Sequence, residues 1–270
     1  MTEPLIVASG LVKRFAVERG LFQSSSFTAV DDVGLSIAPG KTLALVGESG
    51  SGKSTVGRLL VRLLDPDRGT VRFRGQEITG LAADAFKPLR RSLQIVFQDP
   101  LLSLNPRRTI RANIARPLAN FGVTGSAATD RVAELLRLVG LDPSVGARFA
   151  GEISGGQCQR VAIARALTLE PSFIVLDEPV SALDVSIQAQ ILNLLLELQE
   201  RLGLSYLFIT HDLRLVSIMA PDIAVMQQGR IVERGGTAAV LAEPVHDYTR
   251  KLLRSVLHIG TRPDWAAFAA

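Results

Sequence analysis

TLALVGESGSGKSTVGRLL, residues 42–60, passes from one periodicity to another through a run of glycines. Leu43–Val46 is aliphatic throughout, as a strand covered on both faces is. Beyond it, Val56, Leu59, Leu60, Leu63 and Leu64 recur on one face of an expected helix. Between the two stands GESGSGKST, which fits the pattern G-x-x-x-x-G-K-[ST] in the strand–loop–helix context that gives that pattern meaning. Backbone N–H groups of such a loop wrap a β-phosphate, Lys53 neutralises β and γ oxygens, and the Ser54 hydroxyl ligates Mg²⁺. Gly47, Glu48, Ser49, Gly50, Ser51, Gly52, Lys53, Ser54 and Thr55 are therefore the first candidate nucleotide-binding residues. The competing reading, a plain glycine-rich turn, gives no role to Lys and Ser at these offsets.

The rest of the chain extends this β-loop-α unit into an α/β architecture. Residues 5–38 alternate as strands do, and FIVLD, a helix through QILNLLLELQERLG, and YLFIT repeat β-α-β before IAVMQQGRIVERG closes as a hairpin. From Pro100 to Leu167 the periodicity is helical, which predicts an all-helical insert. The expected division is a nucleotide-binding core over 1–99 and 168–236, a helical subdomain over 100–167, and a helical tail over 237–270 with a frayed end. Aliphatic runs explain the mean hydropathy of +0.26 in a chain with 5% aromatics. No run reaches the roughly 18 apolar residues of a membrane helix, and no signal peptide is expected at MTEPLIVASG. Lys+Arg 30 against Asp+Glu 26 leaves +4, too mild for a nucleic-acid binder without a basic patch, and none stands out. The single cysteine, Cys158, excludes an internal disulfide and a cysteine-built metal site.

Three further sites lie at strand ends. FIVLDEP delivers Asp177 and Glu178 to the end of a buried strand, Asp177 suited to a Mg²⁺ shell and Glu178 to orienting or deprotonating an attacking water. Two adjacent acids also suit a solvated turn or a helix cap. His211 follows YLFIT, either a surface residue or one that faces the γ-phosphate from the C-terminal edge of the sheet, and Gln98 follows the strand in IVFQDP, its amide meeting Mg²⁺ or the water, or simply making a turn. GEISGGQCQR, residues 151–160, opens a helix with Ser154, Gly155, Gly156 and Gln157 but carries no Lys to hold a phosphate alone. It is either an ordinary glycine-rich helix start or the completion of a phosphate site begun elsewhere.

Together these motifs closely resemble those of ATP-binding-cassette ATPases. GESGSGKST resembles the family's phosphate loop, Gln98 its Q-loop, ISGGQ its signature motif, FIVLDE its second nucleotide motif, SALD its D-loop and His211 its switch histidine, all in the family's order. The resemblance implies a P-loop NTPase core with a mostly parallel sheet, an N-terminal antiparallel β region and an inserted helical subdomain. It implies ATP hydrolysis with Mg²⁺, with Glu178, His211 and Gln98 catalytic and Ser54, Gln98 and Asp177 around the metal. It also implies a second ATPase subunit, homologous or identical, whose nucleotide is covered by Ser154, Gly155, Gly156 and Gln157. That accounts for the missing Lys, which the partner supplies. Phe15 in LVKRFAV matches the position of the aromatic that stacks on adenine; the alternative is a core phenylalanine.

QDPLLSLNPR, DEPVSALDVSIQAQILNLL, FITHDLRLV and PVHDYTRKLL are similar to segments of the ATPase subunits of bacterial oligopeptide, dipeptide and nickel importers. The implied partners are two membrane-spanning permease subunits, docked near Leu101 to Arg108, and an extracytoplasmic solute-binding protein, with the chain peripheral on the cytoplasmic face of the inner membrane. Cys158 departs from the Arg common at its position. Its expected effect is to remove a charge beside the partner's nucleotide, leaving a thiol that alkylates readily in the open monomer and slowly in the ATP-closed dimer. The iron–sulfur extension of some relatives is not expected. A non-hydrolysing regulatory subunit is disfavoured by Glu178 and His211, and a non-transport ATPase by the lack of coiled-coil arms or a second cassette.

Overall fold

Strands and amphipathic helices follow one another along the chain in the computed structural model, which describes residues 3–18 and 24–257. The expected frayed end of the 237–270 tail falls among residues 258–270, outside the described residues. In chain order come β1 (Ile6–Glu18), β2 (Ser24–Ile37), β3 (Thr42–Val46), α1 (Lys53–Leu60), β4 (Arg68–Phe73), β5 (Gln76–Glu77) and α2 (Ala83–Phe86). Next are β6 (Leu93–Val96), α3 (Pro100–Ser103), α4 (Ile110–Asn120), α5 (Gly125–Leu138), α6 (Gly155–Leu167), β7 (Phe173–Asp177) and α7 (Val185–Leu202). The chain continues through β8 (Ser205–Thr210), α8 (Leu213–Met219), β9 (Asp222–Gln227), β10 (Arg230–Gly236), α9 (Thr237–Ala242) and α10 (Asp247–Leu257). Two compact units result, one of residues 1–86 with 205–270, the other of residues 87–204.

In the first unit an antiparallel sheet runs in the order β2-β1-β4-β5, the expected N-terminal β region. A second set, in the order β10-β9-β3-β8, is parallel except for β10, which returns antiparallel on β9. β3 and β8 are buried along their whole lengths, so the aliphatic runs belong to strands covered on both faces. Each fully buried Leu or Val contributes about 1.5–3 kcal/mol. Ala44 and Val46 of β3 share a core cluster with Leu213 and Val216 of α8 and with Tyr248, Leu252 and Leu253 of α10.

α1 ends at Leu60, so Leu63 and Leu64 do not extend its apolar face, and Leu63 is exposed. The stop comes from Arg62, left-handed at φ 50°, with the Leu63 N–H donating back to the Arg58 carbonyl at 2.9 Å. A non-glycine residue pays for that conformation. Arg62 is held there by Asp65 at 3.0 Å, the Leu81 carbonyl at 2.9 Å and the Phe86 ring at 4.7 Å.

In the second unit β6 and β7 pair in parallel, Val96 opposite Leu176, beside the helices of the insert. Thr109 caps α4 through the Ala112 N–H, and the helix continues through Pro117. α7 turns Ile191, Leu192, Leu194, Leu195 and Leu198 inward and ends on Gly203 at φ 65°, where glycine carries no Cβ penalty.

Candidate functional site

In the first unit, the loop from Gly47 to Gly52 leaves β3 and turns directly into α1. Its shape demands glycine at two points: a Cβ on Gly47 would lie 2.1 Å from the Met226 carbonyl oxygen, and one on Gly52 2.1 Å from that of Ala29. Lys53 is buried, and its ammonium donates to the Gly47 and Glu48 carbonyls at 2.7 and 2.9 Å. Gly52 supplies no side-chain cap to α1, and no acid stands in the helix's first turn. That N-terminus therefore keeps its positive end for an anion. The Ser51 hydroxyl is buried in the loop without a hydrogen-bond partner among the described residues. A close-fitting glycine loop, an ammonium and an uncapped helix start fit a nucleotide's phosphates.

His211 follows β8, and Thr210 pairs with Val46 across the parallel β3–β8 ladder. His211 and the phosphate loop thus leave adjacent strands at the same edge, and His211 is exposed. Asp212 caps α8 and takes Arg214 in a two-pronged ion pair, 2.7 Å at its shortest. Burial alone would raise the Asp212 pKa, but the hydrogen bonds and charge of Arg214, with His211 nearby, bring it below the usual carboxylate value. Phe15 on β1 is 37% exposed, with Lys13 5.9 Å from its ring centre. It stands opposite Phe27 on β2, also exposed, so of the two sequence readings the core phenylalanine fails.

The second unit gathers the other candidates. Asp177 ends β7 and is buried. Glu178 follows with φ 48°, a left-handed conformation rare for a side chain this long. Gln98 lies just past β6, the parallel neighbour of β7, and its amide nitrogen donates to the Glu178 carboxylate at 3.2 Å. The two strand ends therefore bring Gln98 and Glu178 together.

Ser154 caps α6 in a reciprocal box: its hydroxyl accepts from the Gln157 N–H at 3.3 Å, and the Gln157 side chain accepts from the Ser154 N–H at 3.0 Å. Ser154 and Gly155 are exposed. Gly156 has an internal reason as well, because a Cβ there would lie 2.7 Å from the Ile187 side chain of α7. Cys158 corrects the sequence expectation. It is fully buried, its thiol directed to the Ala150 carbonyl at 3.5 Å, and burial, then Asp99, push its pKa up. It faces the core of its unit and offers nothing to a partner.

One contact escaped the sequence. The Tyr248 hydroxyl, from α10, accepts a hydrogen bond from the Glu48 N–H in the phosphate loop at 2.9 Å. Its only sequence signal was PVHDYTRKLL, a helix start with Tyr and Leu on one face.

The sequence profile of the family described as ABC transporter matches residues 30–181. The chain is 50% identical over 257 residues to the glutathione import ATP-binding protein GsiA of Salmonella typhimurium, covering 94% of this chain and 41% of that protein. It thus spans about two fifths of the glutathione-import relatives. It is 47% identical over 258 residues to the oligopeptide transport ATP-binding protein AppF of Bacillus subtilis, covering 94% of this chain and 78% of that one. Among solved structures, the dimeric post-hydrolysis state of the ATP-binding cassette MJ0796 bound to ADP and Pi superposes with a TM-score of 0.76 at 29% identity, over 86% of this chain and 98% of that one. CbiO1 from Clostridium perfringens, part of the transporter complex cbiONQ, gives 0.76 at 27% over 95% of each chain. With the phosphate loop, the paired strand ends and the capped signature helix on one chain, these likenesses place it: the chain belongs to the ABC transporter family, with that family's ATP-binding-cassette fold.

Proposed function

We propose that this chain binds and hydrolyses ATP to drive a bacterial importer for peptides or a related small solute, nickel or its chelates included. The observation that carries the reading is the Glu178 carboxylate, positioned by a left-handed backbone and a hydrogen bond from Gln98 immediately after the buried Asp177. A carboxylate so oriented suits a general base for water. Residues Gly47 to Thr55 take the nucleotide's phosphates, with Lys53 as the cation. Ser54, Asp177 and Gln98 are assigned to Mg²⁺ by their motif positions, and a bound Mg²⁺ supplies charge neutralisation at the phosphates. His211 is assigned to the γ-phosphate and Phe15 to the adenine face.

The exposed Ser154 and Gly155, with Gly156 and Gln157, support a role on nucleotide held by a second ATPase subunit, the same chain or a sibling. No helix among the described residues is long and apolar enough to cross a membrane, so separate permease subunits fit the reading, along with a peripheral place at the cytoplasmic face and an extracytoplasmic solute-binding protein. Docking on the second unit is supported by Leu101 and Leu102, the latter 86% exposed. Beside them a cleft of about 500 Å³ is lined by Arg90, Arg108, Arg116 and Arg165. Guanidinium groups so arranged suit a permease loop that carries carboxylates.

The test is ATP turnover by the purified chain and by Glu178→Gln. The variant should bind ATP as the parent does while phosphate release falls about 10²- to 10⁴-fold, the usual worth of a general base. Equal turnover in both would remove Glu178 from the chemistry, and no nucleotide binding by either would remove the proposal.

A further inference from the structure

The phosphate loop is held from two sides. On one side Lys53 takes the carbonyls of Gly47 and Glu48, and the Ser51 N–H donates to the Glu48 carbonyl at 3.2 Å. On the other, the Glu48 N–H is taken by the Tyr248 hydroxyl, 200 residues further along the chain. Tyr248 is only 6% exposed, packed in the cluster that includes Ala44 and Val46 of β3, the strand that feeds the loop. The turn before α10 is itself fastened: the Glu233 carboxylate on β10 accepts from the N–H groups of Val245 and His246 at 2.7 and 3.0 Å, and the Tyr248 N–H donates to His246 Nδ1 at 3.1 Å. Arg250 adds a bond to the Pro244 carbonyl at 3.0 Å. The Tyr248 hydroxyl therefore reaches the loop from a fixed support.

We infer that Tyr248 is a positioning residue for the phosphate loop, holding the Glu48 peptide in place through its hydroxyl while Lys53 exchanges backbone carbonyls for phosphate oxygens. This rests on the reading of Gly47 to Thr55 as the phosphate site. With two of its three N–H groups on the Gly47 and Glu48 carbonyls, the Lys53 ammonium must share or give up at least one of these bonds to reach both β- and γ-phosphate oxygens. The peptide between Gly47 and Glu48 then loses part of its internal support at the moment the loop must keep its shape. The Tyr248 bond is on the N–H of that same peptide and does not depend on Lys53. Without it, the loop is ordered only on binding, and that cost falls on ATP affinity. Once ATP is bound the loop is already ordered, so turnover at saturation is unaffected.

The experiment compares the full chain with Tyr248→Phe, Leu252→Ala and Lys53→Ala, reading ATP affinity by calorimetry, turnover at saturating ATP, and thermal stability. Tyr248→Phe removes only the hydroxyl and should raise the Kd for ATP about 2- to 10-fold, the range for one hydrogen bond, with turnover at saturation unchanged. Leu252→Ala loosens the same helix without touching the loop and should lower the Tm while leaving the Kd alone. An unchanged Kd in Tyr248→Phe overturns the inference, and so does an equal rise in Kd in Leu252→Ala, which would mean that packing and not the hydroxyl matters. Lys53→Ala separates the two failures. If it binds ATP like the parent, the phosphate-site reading itself is wrong; if it loses binding while Tyr248→Phe does not, only the role of Tyr248 is lost.

Discussion

Gln98 and Glu178, 80 positions apart, meet as amide and carboxylate at 3.2 Å because each follows one of two adjacent parallel strands. The bond restricts the carboxylate's rotation, which on the proposed reading helps aim it at the attacking water. Gln98→Ala should retain ATP affinity and fold stability while turnover falls by up to about 10²-fold, the cost of misplacing a reacting group by an ångström. Turnover within twofold of the parent would show that Glu178 is oriented by its backbone alone.

Phe15 offers its ring to solvent beside Lys13 and opposite Phe27. Stacking on a base needs only that face, so Phe15→Ala should weaken ATP binding by about 1–3 kcal/mol. The exposed ring contributes little to the core, and the Tm should change little. A lowered Tm with an unchanged Kd would mark the ring as part of the sheet surface only.

Much of this site was legible because its residues are constrained locally. The phosphate loop needs glycine where Met226 and Ala29 approach, and a loop so constrained leaves a pattern in the sequence. Strands β3, β7 and β8 are buried throughout, so short, largely apolar runs announced them. The end of α1 was not legible, because its left-handed residue is Arg62, held by Asp65, Leu81 and Phe86, and no glycine marks it. Cys158 was misplaced for a related reason. α6 buries Cys158, Gln159, Val161, Ala162, Ile163 and Ala164 in near succession, so helical spacing from Ser154 does not say which side faces out. The Tyr248 bond to Glu48 joins distant segments and has no local signature.

The buried thiol gives its own test. Burial raises the Cys158 pKa above its ordinary value, so at neutral pH the thiol is protonated as well as inaccessible. Iodoacetamide should label it slowly in the folded chain at the same rate with and without ATP, and quickly in denaturant. Labelling should speed up as pH rises toward the raised pKa. Fast labelling in the native chain, slowed by ATP, would restore the thiol to an interface.

The two signature glycines should separate when substituted. A Cβ on Gly155 would meet Leu183 at 3.6 Å, an ordinary contact, whereas one on Gly156 would meet Ile187 at 2.7 Å. Gly156→Val should therefore cost about 1–3 kcal/mol of stability by overpacking α6 on α7. Gly155→Asp should leave the Tm and ATP binding by the monomer nearly intact, yet abolish hydrolysis by setting a carboxylate against the phosphate of a neighbouring subunit. Action across an interface is then read by mixing two inactive chains, one with Lys53→Ala and one with Gly155→Asp. In a mixed dimer one composite site carries both lesions and the other carries neither, so part of the activity should return. If heterodimers form, verified by a tag on each chain, and activity stays absent, the signature acts within its own subunit. Should the chain pair only with a sibling ATPase, the same two lesions are divided between the chain and the sibling, and recovery must follow which subunit carries which.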